Sequence, residues 1–390
     1  MTNNPAKTNT NRDLQIGISV FLSGLSCFGL LYYYQALLPE LVDYFRIDKA
    51  QSSLAVSSST FGMALGLLTA MFVADRYSRK KVIGYSLLSS AVFALLSSFS
   101  NHFTLLLFFN FLKGYFLAGA TSVCLAYISE EVSASKKLKI TGLYISGNAI
   151  GGMVGRVMAS HFAHEYSWKT ASEIIGVVCF IFAVLFFLFS PKSKHFIPKK
   201  QSFLSLIKPN MMLIFNKKLF SYYLTGFLLL GAFVSLYNYM AFFLVKSPFN
   251  ISQEWIPYVY FLYIAGIGGS MSVSFWQRKL NSSKKILKAM SILGVFGISM
   301  IFFANPITVV LGVALFTYAF FVAHTVCSKS IGEFYHSKKS VSIAIYLLCY
   351  YLGASILGST TGILLVNFSW MIFLISIIFI FSLIFILFLK

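Results

Sequence analysis

The chain has 390 residues, with 31 Lys and Arg against 11 Asp and Glu for a net charge of +20; 58% of it is hydrophobic and 11% charged. A soluble protein of this length has too little interior to hide so much apolar surface, and 42 Phe with 26 Gly suit packed helices facing lipid. The positive charge does not point to nucleic acid, because the basic residues sit in short segments between apolar runs. The five cysteines (Cys27, Cys124, Cys179, Cys327 and Cys349) lie in apolar stretches without CxxC spacing, so they read as small buried hydrophobes and no metal is expected. No nucleotide-binding loop is present, which argues against ATP-driven pumping, and a soluble enzyme is excluded.

The first fourteen residues form a polar tail without the arrangement of a cleavable signal peptide. Crossing a bilayer takes about 20 mainly apolar residues. Helices are predicted at 15–38, 52–73, 81–99, 103–128, 139–161, 170–190, 219–244, 253–275, 286–303, 307–327, 341–364 and 369–389, which makes twelve. Asn101-His102 and Asn305-Pro306 mark the shortest turns. The loops differ in charge by side. One side collects Lys7 and Arg12, then Arg76, Arg79, Lys80 and Lys81, and most later lysines, ending at Lys390; the other holds only Arg46, Lys49, Lys169 and Lys246. That asymmetry places both termini in the cytoplasm.

The polar stretch 191–218 divides the chain into a first bundle, 15–190, and a second, 219–390. Its pairs Phe203-Leu204 and Leu206-Ile207 suit a short helix along the inner face. The two halves echo each other at a displacement of 202 residues: YISGNAIGG from Tyr144 to Gly152 falls on YLLCYYLGA from Tyr346 to Ala354, and Arg76 falls on Arg278. A weak repeat of this kind indicates two six-helix bundles around a central path.

The segment MFVADRYSRKK, Met71 to Lys81, resembles the loop signature between the second and third helices of the major facilitator superfamily. Ala74, Asp75, Arg76, Arg79 and Lys80 match, whereas Met71, Val73 and Ser78 replace glycine, leucine and glycine. The stretches ISEEVSASKKLKITGLYISGNAIGGMVGRV, FLLLGAFVSLYNYM, FFVAHTV and YYLGASILGSTTG resemble bacterial inner-membrane transporters of the arabinose-efflux-permease or drug–proton antiporter type. The resemblance runs from about Gln15 to the end. It implies an all-α integral membrane protein with twelve transmembrane helices in two pseudo-symmetric six-helix bundles. It also implies a monomer in the bacterial inner membrane that needs no cofactor and works by alternating access, with protons moving inward as substrate moves outward.

In that resemblance Asp75, Arg76, Arg79 and Lys80 form an inner-gate latch, Asp75 pairing with Arg79 or with a helix amino terminus; the other reading is that these charges only set topology. Where the family carries arginine and glutamine on the fourth helix, this chain has Asn110 and Lys113. Lys113 is read either as a displaced positive charge or as a lysine snorkelling to an interface. The fifth helix keeps Gly147, Gly151, Gly152 and Gly155 as a helix-packing hinge, with Gly152 in place of the family's proline and Arg156 in place of its last glycine.

Arg156 lies well inside the fifth helix, where a charge costs several kcal/mol unless it meets water, a partner or a ligand. Its planar fork suits carboxylate or phosphate, so anion recognition or a charge switch with a carboxylate is expected there, against a fixed structural network. No carboxylate is predicted at the midplane; Glu173 near the outer end of the sixth helix and His324 in the tenth are the titratable candidates. Gln35, Asn148, Asn238, Tyr237, Tyr346, Tyr350 and Tyr351 are uncharged candidates for lining a path, and Tyr32, Tyr33 and Tyr34 cluster in the first helix. With Lys113 and Arg156 they indicate an amphipathic substrate, an anionic and aromatic one being the type such a pocket suits.

The expected function is therefore proton-coupled export of a small metabolite, siderophore or drug-like compound. Uptake or uniport of a small organic anion is the alternative within transport, and a non-transporting membrane sensor or assembly protein the alternative outside it.

Overall fold

The computed structural model describes residues 5–194, 196–198, 213, 216–246, 248–334 and 339–389; a few side chains inside these ranges, Asp75 among them, lie outside the description. The short helix expected around Phe203 to Ile207 also lies outside the described residues. The described chain is helical throughout, as a membrane-spanning chain must be: lipid offers no hydrogen bonds, so each segment satisfies its backbone internally.

Among the described residues twelve helices have 18 residues or more: α1 (Pro5–Tyr32), α2 (Leu54–Arg76), α3 (Arg79–Ser98), α4 (Phe103–Glu131), α5 (Lys137–Glu165), α6 (Trp168–Phe189), α7 (Lys217–Leu244), α8 (Tyr263–Leu280), α9 (Ser283–Ile301), α10 (Pro306–Phe334), α11 (Lys339–Asn367) and α12 (Trp370–Leu387). Ten are long and apolar enough to cross a membrane. The other two are α5, which carries Arg156 and Asn148, and α9, which opens on Ser283-Lys284-Lys285. Serine stops supply the entries to two helices: Ser167 accepts from the Thr170 N–H, and Ser369 from the Ile372 N–H, each satisfying one orphan donor of the first turn.

Two expected helices are broken near one end. The first span leaves α geometry after Tyr32, continues as a 3₁₀ turn over Tyr33–Ala36, and resumes as a separate short helix, Leu38–Phe45. Pro39 opens that helix and Arg46 closes it in the left-handed region, with φ of 54°. Asp48 then caps a further turn, Lys49–Ser52, through a reciprocal bond with Gln51, the capping-box arrangement. The eighth span begins with ten residues of 3₁₀ helix, Gln253–Leu262, containing Pro257. A run this long is uncommon. Its period of three lines up Trp255, Tyr258 and Phe261, whose rings neighbour one another at 5.4 and 5.9 Å and are exposed.

The chain forms two compact units, Met1–Tyr34 with Gly62–Leu206, and Gln35–Phe61 with Ile207–Lys390. In the first, α1 packs most extensively on α5, and α3 on α4 and α6. In the second, α7 packs most extensively on α11, and α9 on α10 and α12. The same pairing scheme thus appears twice. Both leading pairs rest on glycine. A Cβ at Gly147 would lie 2.5 Å from the Phe21 carbonyl oxygen and one at Gly155 2.8 Å from Gly29 Cα; one at Gly151 would collide with the Leu25 backbone, and one at Gly353 with that of Phe227. Small residues let backbones meet at this range. The displacement of 202 that relates the halves carries Gly24, Gly29 and Gly151 onto Gly226, Gly231 and Gly353.

Gly151→Val and Gly353→Val should each destabilise the folded protein by about 1–3 kcal/mol or more, since backbone cannot yield to the added methyls. Gly268→Ala, with nothing within 4 Å of its position, should leave the melting temperature of the detergent-purified protein unchanged.

Candidate functional site

In the first unit the break after Tyr32 sets three consecutive tyrosines around two buried cations. Lys113 is 0% exposed and Arg156 1%. The Lys113 ammonium donates to Asn110 Oδ1, one turn back on α4, at 2.8 Å, and lies 4.5 and 4.7 Å from the ring centroids of Tyr33 and Tyr34. The two rings are themselves 4.4 Å apart. They are held from behind: the Tyr34 hydroxyl shares a 2.9 Å hydrogen bond with Ser97 of α3 and takes one of 3.4 Å from Ser172 of α6. The Arg156 guanidinium lies 4.7 Å from the Tyr32 ring and donates to the Gly152 carbonyl on its own helix. A desolvated cation over an aromatic face gains about 2 kcal/mol, which offsets only part of the cost of burying a charge.

The other candidates of this unit stand as follows. Lys113 ends inside the unit, not at an interface. Asn148 packs its side chain against Gly24, and its Oδ1 is buried without a hydrogen-bond partner. Glu173 is half-buried and takes a 3.4 Å hydrogen bond from Ser98. Gly152 meets no backbone; the nearest atom to a Cβ there is Nη1 of Arg156 at 3.3 Å.

In the second unit, Gln35 donates through Nε2 to Asn238 Oδ1 at 2.8 Å and to the Val234 carbonyl at 3.3 Å. Asn238 donates onward to the Gly358 carbonyl at 3.0 Å, and the Tyr260 hydroxyl donates to the Gln35 carbonyl at 3.3 Å. Gln35 and Asn238 are both fully buried. A second cluster lies on α10 and α11. His324 Nδ1 is 2.8 Å from the Tyr346 hydroxyl, and its ring is 4.5 Å from that of Tyr350. Phe320 and Phe233 extend this aromatic group, their rings stacked at 4.0 Å, and the Tyr237 hydroxyl pairs with Thr317 at 2.8 Å. The structure thus joins Gln35 to Asn238, and His324 to Tyr346 and Tyr350, as two separate groups. Among the described residues no cluster of His, Cys, Asp and Glu could hold a metal.

The charged loop after α2 meets the carboxylates that end α4. Arg79 donates to both oxygens of Glu130, with Nη2 to Oε1 at 2.7 Å and Nε to Oε2 at 3.0 Å, and also to the Ala74 carbonyl. Lys80 reaches the Ser190 carbonyl, and Arg76 is exposed. Beside this lies a clamp that the sequence reading missed. Arg12 pairs with Glu131 and donates to the Lys192 carbonyl at 2.9 Å. Asp13 takes the Ser133 hydroxyl at 2.7 Å and its N–H at 3.3 Å, with Lys136 at 3.7 Å. The signal was present: Arg12-Asp13 stands at the entry of the first apolar run and Glu130-Glu131 at the exit of the fourth, adjacent charges where topology asks only for basic ones.

A family model described as Major Facilitator Superfamily matches residues 16–335. The chain is 35% identical over 363 residues to an uncharacterized MFS-type transporter, YybF, of Bacillus subtilis, covering 92% of this chain and 88% of that one. It is 32% identical over 370 residues to the inner membrane transport protein YnfM of Escherichia coli, covering 93% and 87%. Among solved structures, the nucleoside transporter NupG superposes with a TM-score of 0.75 at 16% identity, over 97% of this chain and 100% of that one, a likeness of fold.

Replacing Arg12 by Met leaves the Glu131 carboxylate, whose side chain is 0% exposed, without its guanidinium. The expected loss is about 2–4 kcal/mol, under the full cost of a broken buried pair because Arg12 keeps some solvent contact. Adding Glu131→Gln should recover part of it, read as melting temperature in detergent.

Proposed function

The chain belongs to the major facilitator superfamily, a secondary active transporter of small molecules and not an enzyme, and on that premise we propose that its cargo is a small amphipathic organic anion moved by alternating access across a bacterial inner membrane at the expense of the proton gradient. The observation that carries this reading is the pair of buried cations, Lys113 and Arg156, set against Tyr32, Tyr33 and Tyr34. A site with two internal positive charges and aromatic faces favours a negatively charged, partly apolar solute over a lipophilic cation. In the second unit Gln35 with Asn238, and His324 with Tyr346 and Tyr350, form further groups of donors and acceptors. Glu173 is the titratable carboxylate nearest the outer end of α6.

Two directions remain open to such a carrier. Uptake of the anion together with a proton is favoured by Lys113, whose ammonium meets an amide oxygen and two rings but no carboxylate among the described residues. Export of a metabolite, siderophore or drug-like compound in exchange for protons is supported by the glycine-lined α5, with Gly147, Gly151 and Gly155 against α1, which resembles the antiporter-type signature. In either direction Asp75, with Arg76, Arg79 and Lys80, serves as the inner latch, and the protein works as a monomer with both termini in the cytoplasm.

Reconstituted in liposomes, the protein should move its solute in response to an imposed pH gradient; solute flux indifferent to that gradient would sink the proton-linked reading. Arg156→Ala should weaken binding at least tenfold, the loss of one charge-assisted contact of about 1.5–3 kcal/mol, while the protein stays folded in the membrane. Arg156→Lys, which keeps the charge but loses the fork, should fall between. Wild-type affinity in Arg156→Ala would remove that residue from the site.

A further inference from the structure

Lys113 is a buried lysine with no counter-charge among the described residues. Its neighbours come from three parts of the unit. Asn110 Oδ1 lies on its own helix α4. The faces of Tyr33 and Tyr34 come from the end of α1. Ser90 of α3 donates to the Lys113 backbone carbonyl. Among the described residues these contacts include no carboxylate. One of three N–H donors thus has a hydrogen-bond acceptor. The contrast with the same unit's other ion pairs is sharp. Arg12, Arg79 and Lys136 each meet a carboxylate, and each does so at the cytoplasmic end.

Two opposing terms act on this amine. Removing the ammonium from water is costly, and the two ring faces and the amide oxygen return only part of that cost, so the cage alone does not fully compensate the charge. An anion entering beside it would supply the missing charge.

We propose that Lys113 is the group that couples an organic monoanion to one proton, the loaded carrier crossing as a lysine ammonium–anion pair and the empty carrier returning with a neutral lysine. The proposal rests on the anion-transport reading above and names its coupling group. The step balances: on the side of higher proton activity a water-borne proton forms the third N–H bond of the amine as the anion binds, and on the other side that N–H bond breaks, its proton passing to water as the anion leaves. Lys113 with its ligand is neutral in each form that crosses, so neither crossing adds a charge to that of Arg156. The tyrosine faces suit a flat apolar body, so the class of substrate is a small aromatic monoanion, with the anionic group toward Lys113.

The test uses the full chain and two probes, benzoate for binding and benzenesulfonate for flux; a sulfonate stays ionised, so any proton that accompanies it travels on the protein. In liposomes with an alkaline lumen and a lumenal pH dye, wild-type protein should accumulate benzenesulfonate with one proton per anion, and with the gradient reversed it should not. Lys113→Gln should bind benzoate at least tenfold more weakly. Lys113→Arg keeps a charge that does not leave; it should retain binding and anion–anion exchange yet lose gradient-driven accumulation. That split is one that a merely structural lysine would not produce. Should Lys113→Gln fail to fold, Lys113→Arg and Tyr33→Leu carry the test, the latter weakening accumulation with the amine intact. Wild-type protein that binds neither probe overturns the substrate class. Wild-type flux blind to the gradient overturns the proton-linked function itself. Gradient-driven flux left intact in Lys113→Arg overturns the role of Lys113 alone.

Discussion

The structure depends on how closely two pairs of helices approach, α1 against α5 and α7 against α11. In lipid the hydrophobic effect gives helices no reason to associate, since acyl chains are as apolar as leucine, so association rests on backbone and side-chain packing at short range. Glycine at 147, 151 and 155 removes every side chain that would hold α5 off α1, and Gly353 does the same for α11 on α7. Once those pairs are formed, the remaining helices have fixed faces to pack against. The pairing scheme is repeated in the two units because the glycines that permit it are repeated, three of them at one constant displacement.

That close approach also explains where polarity is tolerated. Arg156 and Asn148 lie on the helix that the glycines draw inward, and Tyr32 to Tyr34 lie at the end of the helix it meets. Buried cations in such a place are expensive, and ring faces and oxygen acceptors stand beside them: Tyr32 and the Gly152 carbonyl at Arg156, Tyr33, Tyr34 and Asn110 at Lys113. Where α4 ends beside the loop after α2 the reverse holds. There Glu130, Glu131 and Asp13 answer arginine and lysine directly, and the loops that the positive-inside rule makes basic are tied down by acids that the rule does not require.

The fold was legible because membrane crossing leaves a coarse signal: about 20 apolar residues between charged loops. Twelve long helices follow from that signal, and the halves were visible as an echo. What failed was local. The breaks at Tyr33 and at Gln253 to Leu262 leave hydropathy unchanged, since a 3₁₀ turn uses the same apolar residues as an α turn, so only Pro257 hinted at the second. The candidate residues were legible as polar positions inside apolar runs. Their groupings were not, because Gln35 meets Asn238 across about half the chain, and Lys113 meets Tyr33 and Tyr34 only after α1 has changed its pitch. The Arg12 and Asp13 clamp was overlooked because charges near a terminus read as topology first.

The ten-residue 3₁₀ segment at the start of the eighth span has a consequence for how this stretch tolerates change. A 3₁₀ helix rises about 2.0 Å per residue where an α-helix rises 1.5 Å, so Gln253–Leu262 covers about 20 Å, a depth that would otherwise take about thirteen residues. It also turns about 120° per residue. A single inserted or deleted residue would therefore swing Trp255, Tyr258 and Phe261 onto the face of Ile256 or onto that of Pro257 and Tyr260, all three of which are buried. Point substitutions along the exposed ladder trade one lipid-facing ring for another, but a change of one in length exchanges inside for outside, so the gene in this stretch is free to drift in spelling and is held fixed in count.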